Sequence, residues 1–504
     1  MKQERCLMKS GIHIGLVAIA LITLGSVATY KYQHKSEGET THYTRADLLS
    51  LSSQVKEKKY QAPQVTNTAL MKDVPSGKVW DAATNKEEDV LVWDSWPVTD
   101  KDGNVADYHG YHIVIGLTAK GARQDSSGVK LGMYIQKASV KDDDISSWQY
   151  IGDVFNTFGE GRDKSKKDKY LDQIVSEWSG STVQLNKNDN TLRVFYTNKV
   201  GKEGQAQALT TAKIQVDPKD GQNWSSGLSI NHAKASDHKT VFVGDGKYYQ
   251  TVDQIEKKNG VTDSFAMRDP HIVVDGDKYY LTFEGNTGTK ANYQGNNNFN
   301  NQAYYGSDSL FKSEVERLKA NKQSEEYARA YLSNSALGKL ELNKDFTVKK
   351  VMKPMVTSNA THDMFERPNL VKYKGRWYLF TSVWGIYLAS SDPALKSQTF
   401  MLGWVSDGGI NGTYRPLNGN ALVLASDIPL DKKNMMYSYL AIPSNKKNKS
   451  EFIVTAFQGS RTFAPSMKIE VHGDKTSVNN NILLNQGAVV DSGKYYKTTA
   501  QNIK

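Results

Sequence analysis

The chain has 504 residues, 38% hydrophobic and 10% aromatic, enough to bury a large core, which excludes disorder throughout. Its formal net charge of +10 is dispersed in short polar clusters, such as Lys164, Lys166, Lys167 and Lys169 around Asp168, or Lys446, Lys447 and Lys449 among asparagines. A nucleic-acid partner would need that charge concentrated, so the pattern reads as a solvated surface with at most weak attraction to an anionic cell envelope.

Lys2, Arg5 and Lys9 precede an apolar run over residues 11–29, the layout of a secretory signal, with Ser26, Val27 and Ala28 offering small side chains for cleavage after Ala28. The rival reading is an uncleaved anchor, since the run nearly spans a bilayer and Lys31 and Lys35 follow it; His13 and the glycines weaken a span. Cys6, the single cysteine, lies ahead of the run, so the exported part has no disulfide. The expected organisation is a signal at 1–28, a polar linker at 29–43, one catalytic domain at 44–495 and a basic tail at 496–504. Release to the medium as a monomer, with no stable membrane partner after cleavage, is the expected fate.

Thr44 to Asp47 form a loose capping box ahead of Leu48, Leu49, Leu51 and Val55, predicting a short helix. From about residue 90 onward the texture is short alternating or apolar-aromatic runs, predicting strands within 111–117, 192–197, 240–249, 272–283, 370–381 and 451–457. Two runs repeat each other, Pro270 to Tyr280 and Pro368 to Tyr378, ten residues apart in both, each reading as strand, glycine turn, strand. Each follows a charged pair, Arg268-Asp269 or Glu366-Arg367, and 240–249 with Asp245-Gly246 is a third partial copy. Hairpins that present polar residues at one end predict an all-β fold of radial sheets, a β-propeller, with those ends converging on a central pocket. A two-sheet sandwich also yields hairpins but gives no reason for the charged starts to recur. One long helical candidate, 309–332, reads as an insertion between blades.

Three carboxylates stand beside rings, arginines or prolines, a grouping suited to cleaving a sugar acetal between one ionised and one protonated acid. Asp94 lies between Trp93 and Ser95-Trp96; the rings could wall a sugar pocket and the Ser95 hydroxyl could hold the charged form, which makes Asp94 the nucleophile candidate. Glu366 follows Met364-Phe365, whose apolar surface raises its pKa toward that of a proton donor, while Arg367 pulls the other way. Asp269, between Arg268 and Pro270, reads as an ionised group that steadies an oxocarbenium-like transition state.

The segments 92–97, 108–112, 177–181, 267–271, 283–289, 301–306, 351–354, 366–368 and 462–466, in this order, resemble the levansucrases and inulosucrases of glycoside hydrolase family 68. The likeness covers roughly residues 90–489. It implies a five-bladed propeller with a funnel-shaped active site, Asp94 as nucleophile, Asp269 as stabiliser and Glu366 as acid/base. By the same resemblance Trp93, Trp178, Ser179, Arg268, Glu284 and Tyr437 line the sugar sites; Arg367 and Trp384 are further substrate-binding candidates, Trp384 as a stacking surface. It further implies a structural calcium ion held by Asp263, Gln294, the Leu332 carbonyl, Asn334 and Asp363, all oxygen donors as calcium requires.

Three positions depart from the family pattern. Met364 stands where many members have an acidic residue, Trp384 where they have arginine or histidine, and Ser264 where an asparagine is associated with chain elongation. The expected activity is transfer of fructose from sucrose or a related β-fructofuranoside to fructan, sugar acceptors or water. The departures favour, as an alternative, a mainly hydrolytic β-fructofuranosidase making short oligosaccharides. A non-catalytic carbohydrate-binding protein is the remaining class, opposed by retention of all three acids.

Overall fold

The structure is a computed structural model and describes residues 37–496, apart from 66–67, 75–77, 82–84, 121–127, 141–144, 202–205, 289–294 and 447–449. The signal segment, Cys6, Gln294 and the basic tail past residue 496 fall outside the described residues.

Five strands, β1 (Lys86–Asp100), β2 (Ile174–Gln184), β3 (Met267–Asp275), β4 (Glu366–Tyr373) and β5 (Met436–Pro443), each open an antiparallel meander running outward. β1 packs on β2 and β5, β3 on β2 and β4, and β4 on β5, so the five close a ring around one axis. This is a five-bladed β-propeller. Each blade is covered on both faces, which explains why strands such as Glu451–Gln458 are buried at every position and read as continuous apolar runs. β1 and β2 also pair directly in parallel, Val98 opposite Thr182, which merges the first two blades into one sheet.

The repeated hairpins form the inner halves of the third and fourth blades. β3 turns into Lys278–Asn286 with Asp275 opposite Lys278, and β4 into Arg376–Trp384 with Tyr373 opposite Arg376. In the second turn Lys374 and Gly375 both take positive φ, 47° and 78°, as a two-residue hairpin loop with the right twist demands. The third partial copy is not a hairpin. Its strand, Ser236–Phe242, is an outer-edge strand of the second blade, and the Asp245 carboxylate folds the following segment into a loop by accepting from the Lys247 and Tyr249 amides.

Among the described residues, three helices of eight residues or more lie outside the sheets: α1 (Arg45–Gln54), α2 (Asp308–Ala320) and α3 (Glu325–Leu332). α1 begins as expected, with the Thr44 side chain and Asp47 capping each other. Leu48, Leu51 and Val55 seat it against Trp404 and neighbours of the fourth blade. The 309–332 candidate is two helices, because Ser324 caps a new start after the break at Asn321. They interrupt the third blade between its second and third strands rather than joining two blades. The expected linker is also partly structural: Thr41–His42 pairs with Val356–Thr357 at the edge of that blade.

α1 and α2 are joined by a buried ion pair. The Arg45 guanidinium donates to Glu314 Oε2 at 2.6 Å and to the carbonyls of Ala389 and Ala360, with side chains 1% and 7% exposed. Removing Arg45 leaves Glu314 to Arg317 and takes the donor from the Ala360 and Ala389 carbonyls, so Arg45→Met is expected to lose about 1–3 kcal/mol of stability. Guanidinium unfolding checks this; an unchanged midpoint with unchanged slope would remove the ion pair from the account.

Candidate active site

All five inner strands break register with their partners at the same depth. The shifts fall between Trp93 and Trp96 on β1, Trp178 and Gly180 on β2, Arg268 and His271 on β3, Glu366 and Asn369 on β4, and Tyr437 and Leu440 on β5. A bulge adds a residue and re-aims side chains. Here it creates a two-residue step in each blade: a first position, Trp93, Trp178, Arg268, Glu366 or Tyr437, and a second, Asp94, Ser179, Asp269, Arg367 or Ser438. At four of the second positions φ is positive: 34° at Asp94, 58° at Asp269, 57° at Arg367 and 63° at Ser438. β2 differs, and there Gly180 lets the bulge close against the Phe195 carbonyl, with no room for a Cβ.

Trp93, Asp94, Trp178, Ser179, Arg268, Asp269 and Glu366 thus line one funnel of about 600 Å³, with Leu117 and Arg461 completing the wall. The three acids, far apart in sequence, are brought together. Ser179 Oγ donates to Asp94 Oδ2 at 3.2 Å, and Asp269 accepts from the Arg367 amide at 2.8 Å while its own amide donates to Thr197 Oγ1. Arg268 donates to both oxygens of Glu284, at 2.7 and 3.0 Å, and to Glu366 Oε1 at 3.1 Å. Tyr437 Oη donates to the other Glu366 oxygen, and the Trp384 ring lies 3.8 Å from the Tyr437 ring.

Burial divides the acids. It pushes Glu366 up from 4.5 to about 7; Arg268 opposes this, the charges on Asp269 and Asp94 add to it, and the Tyr437 hydrogen bond lowers it. The opposition foreseen for Glu366 is therefore resolved in favour of the proton donor, with Arg268 rather than Arg367 as the main opposing cation. Burial also raises Asp94, against which stand the Arg367 charge and the hydroxyls of Ser438 and Ser179.

Several expected contacts are reassigned. Trp96 is not a sugar-facing ring: it is buried under the site, its indole N–H on Thr182 Oγ1 at 3.0 Å. The hydroxyl on Asp94 comes from Ser179 across the blade junction, whereas Ser95 offers its carbonyl to Arg367. Glu284 has no exposed surface and stands behind Arg268, so it orients that arginine. Arg367 is likewise buried, with its guanidinium on the Asp94 and Ser95 carbonyls at 3.2 and 2.7 Å, outside the residues that line the funnel. Arg461, missed by sequence reasoning, stands 4.2 Å over the Trp93 ring. It comes from a turn of the fifth blade whose carbonyl accepts from Val92, a link between distant segments with no local signal.

Four of the five expected calcium ligands, Asp263, Leu332, Asn334 and Asp363, gather beside the loop that carries Glu366, and Gln294 lies outside the described residues. Asp363 accepts from the amides of Ser264 and Asn334, Asp263 from Gln250 and the Glu256 amide, and Asn334 Oδ1 from Asn286, while Leu332 ends α3. Burial, with the Asp363 charge added, raises Asp263 to about 7, and burial raises Asp363 to about 6. Two buried carboxylates that each resist ionisation, set among amide and carbonyl oxygens, fit a hard divalent cation.

A family model described as Levansucrase/Invertase matches residues 32–490. The levansucrase of Bacillus amyloliquefaciens is 38% identical over 468 residues, covering 90% of this chain and 91% of the relative. A Geobacillus stearothermophilus protein described as an inactive levansucrase is equally similar, 38% over 473 residues, covering 91% and 92%. Among solved structures, a single-substitution variant of a levansucrase complexed with sucrose superposes with a TM-score of 0.77 at 36% identity, over 90% of this chain and 98% of that one. With the model match and these relatives spanning nearly the whole propeller, the chain belongs to glycoside hydrolase family 68, the levansucrase/invertase family.

Proposed function

We propose that the chain is a retaining fructosyltransferase that takes its fructosyl unit from sucrose. The observation that carries this reading is the pairing, in one funnel, of Asp94 under a guanidinium and two hydroxyls with Glu366 raised to about 7. Asp94 attacks the anomeric carbon of the fructosyl unit while Glu366 gives its proton to the glycosidic oxygen, and glucose leaves. Asp269, fixed at both its amide and its carboxylate, faces the positive charge that develops on the ring. In the second step Glu366, now ionised, takes the proton of an incoming hydroxyl or water, which displaces fructose from Asp94.

A sugar hydroxyl as acceptor gives fructan or oligosaccharides, and water gives free fructose. The second outcome draws support from the acid/base side of the site, where Met364 is buried and the Trp384 ring leans on that of Tyr437 at 34°. An aromatic shelf grips a sugar by its apolar face and lacks the charge-assisted hydrogen bonds, about 1.5–3 kcal/mol each, that hold a pyranose in one orientation. Short products and hydrolysis therefore outweigh long polymer. A calcium ion held by Asp263, Asp363, Asn334, the Leu332 carbonyl and Gln294 would brace the segment leading to Glu366; its role is structural. Export by the N-terminal signal and action as a monomer complete the proposal.

Three outcomes are expected. Asp94→Ala should lose at least about 10³-fold in glucose release from sucrose, since removal of a nucleophile leaves only binding and electrostatics; wild-type turnover in that variant would remove Asp94 as nucleophile, and absence of turnover in the unsubstituted protein would leave the carbohydrate-binding reading standing. The rate of glucose release should fall above about pH 7, because Glu366 must carry its proton in the first step, and Glu366→Gln should abolish that limb with a loss of about 10²–10⁴-fold. Chelation should lower Tm by several degrees, reversed by added calcium, with a hundredfold excess over Kd contributing about 2.7 kcal/mol. A melting curve indifferent to chelator would dismiss the ion.

A further inference from the structure

Arg367 occupies on β4 the bulged position that Asp94 occupies on β1 and Asp269 on β3. The three side chains therefore approach the axis from three blades at one depth, two negative and one positive. Arg367 is 3% exposed, and its guanidinium meets no carboxylate among the described residues; it donates to the carbonyls of Asp94 and Ser95 and lies 5.6 Å over the Trp96 ring. Arg268 differs, being held by Glu284 and Glu366. A buried cation without an ion-pair partner is costly unless nearby negative charge compensates it. Here the compensation comes from the carbonyl dipoles of the nucleophile's own strand and from the two axial acids.

We infer that Arg367 is a positioning residue: it fixes the β1 bulge that aims Asp94, and its charge is the buried counterion of that acid. The inference rests on the reading of Asp94 as nucleophile. Every group facing Asp94 enters the balance: Arg367 from β4, Asp269 from β3, Ser179 from β2, Ser438 from β5, with Glu366, Tyr437 and Arg461 around the rim. Of these cations, Arg367 opposes the burial of Asp94 most strongly.

The test is the pH dependence of kcat/KM for glucose release from sucrose, with thermal unfolding in parallel, for wild type, Arg367→Gln, Arg367→Lys, Asp94→Asn and the Arg367→Gln/Asp94→Asn double variant. Loss of the cation raises the pKa of Asp94, so the acid limb of Arg367→Gln should move up by about one pH unit or more while the basic limb, set by Glu366, stays in place. Arg367→Lys should return the acid limb to its wild-type position but keep a lowered kcat, because an ammonium cannot bridge two carbonyls as the planar fork does. A folded Arg367→Gln enzyme with the wild-type acid limb overturns the inference. If Arg367→Gln does not fold, the double variant decides: with the Asp94 charge gone it should melt higher than Arg367→Gln alone, and a double variant that melts no higher overturns the inference. Undiminished turnover in Asp94→Asn overturns the nucleophile reading itself, and the inference with it.

Discussion

The bulge that recurs in every inner strand is the constraint on which the site depends. A regular strand alternates its side chains between the two faces of a blade and would send none down the axis. One extra residue at a common depth turns a side chain of each blade into the funnel, so that five unrelated segments contribute to one cavity. Asp94, Asp269, Arg367 and Ser438 accept left-handed backbone for this, at roughly 1–3 kcal/mol each. That strain is tolerable because the strands on either side are locked between packed blades. The same geometry makes the acids a property of the ring as a whole.

Crowding charges onto one axis has an electrostatic consequence. The charge on Asp269 opposes ionisation of both Asp94 and Glu366, and burial discourages it in those two further. What separates their roles is the identity of the cation each meets. Arg268 is shared between Glu284 and Glu366, leaving Glu366 only partly compensated and inclined to hold a proton. Arg367 is bonded to main chain and leaves its charge to the axial acids.

The repeated hairpins made the radial architecture legible, because their turn residues and charged starts recur with the same spacing and the structure places both in equivalent positions of adjacent blades. The capping box at Thr44 was equally readable, being a local hydrogen-bond pattern. The false third copy shows the limit: Asp245-Gly246 is good turn chemistry, but only pairing with Ala206–Pro218 decides that the preceding strand is an edge. At the site, residue types pointed to the acids, whereas their partners did not follow from sequence neighbours. Ser95 and Trp96 flank Asp94 in the chain, yet the bulge turns them away and brings in Ser179 from the next blade. Arg461 had no signature, since its place over Trp93 depends on closure of the ring between the last blade and the first.

The parts of the chain outside the blades converge on the segment that delivers Glu366. Thr361 donates to the Tyr43 carbonyl, Arg45 to the carbonyl of Ala360, Ala360 to that of Ser333 and Phe365 to Ser335 Oγ, while the His362 ring joins the Met364 amide to the Trp384 carbonyl. α1, the helical insertion of the third blade and the Asn334 amide, which donates to Asp363, therefore all hold residues 358–366. A propeller fixes its inner strands well below their first residue, but Glu366 is that first residue and its approach is a loop. Asp94 lies well inside β1 and needs no such support. Glu366 is thus the acid whose position the blades alone do not fix, which is a physical reason for a chain of this length to place two capped helices and a buried ion pair behind it.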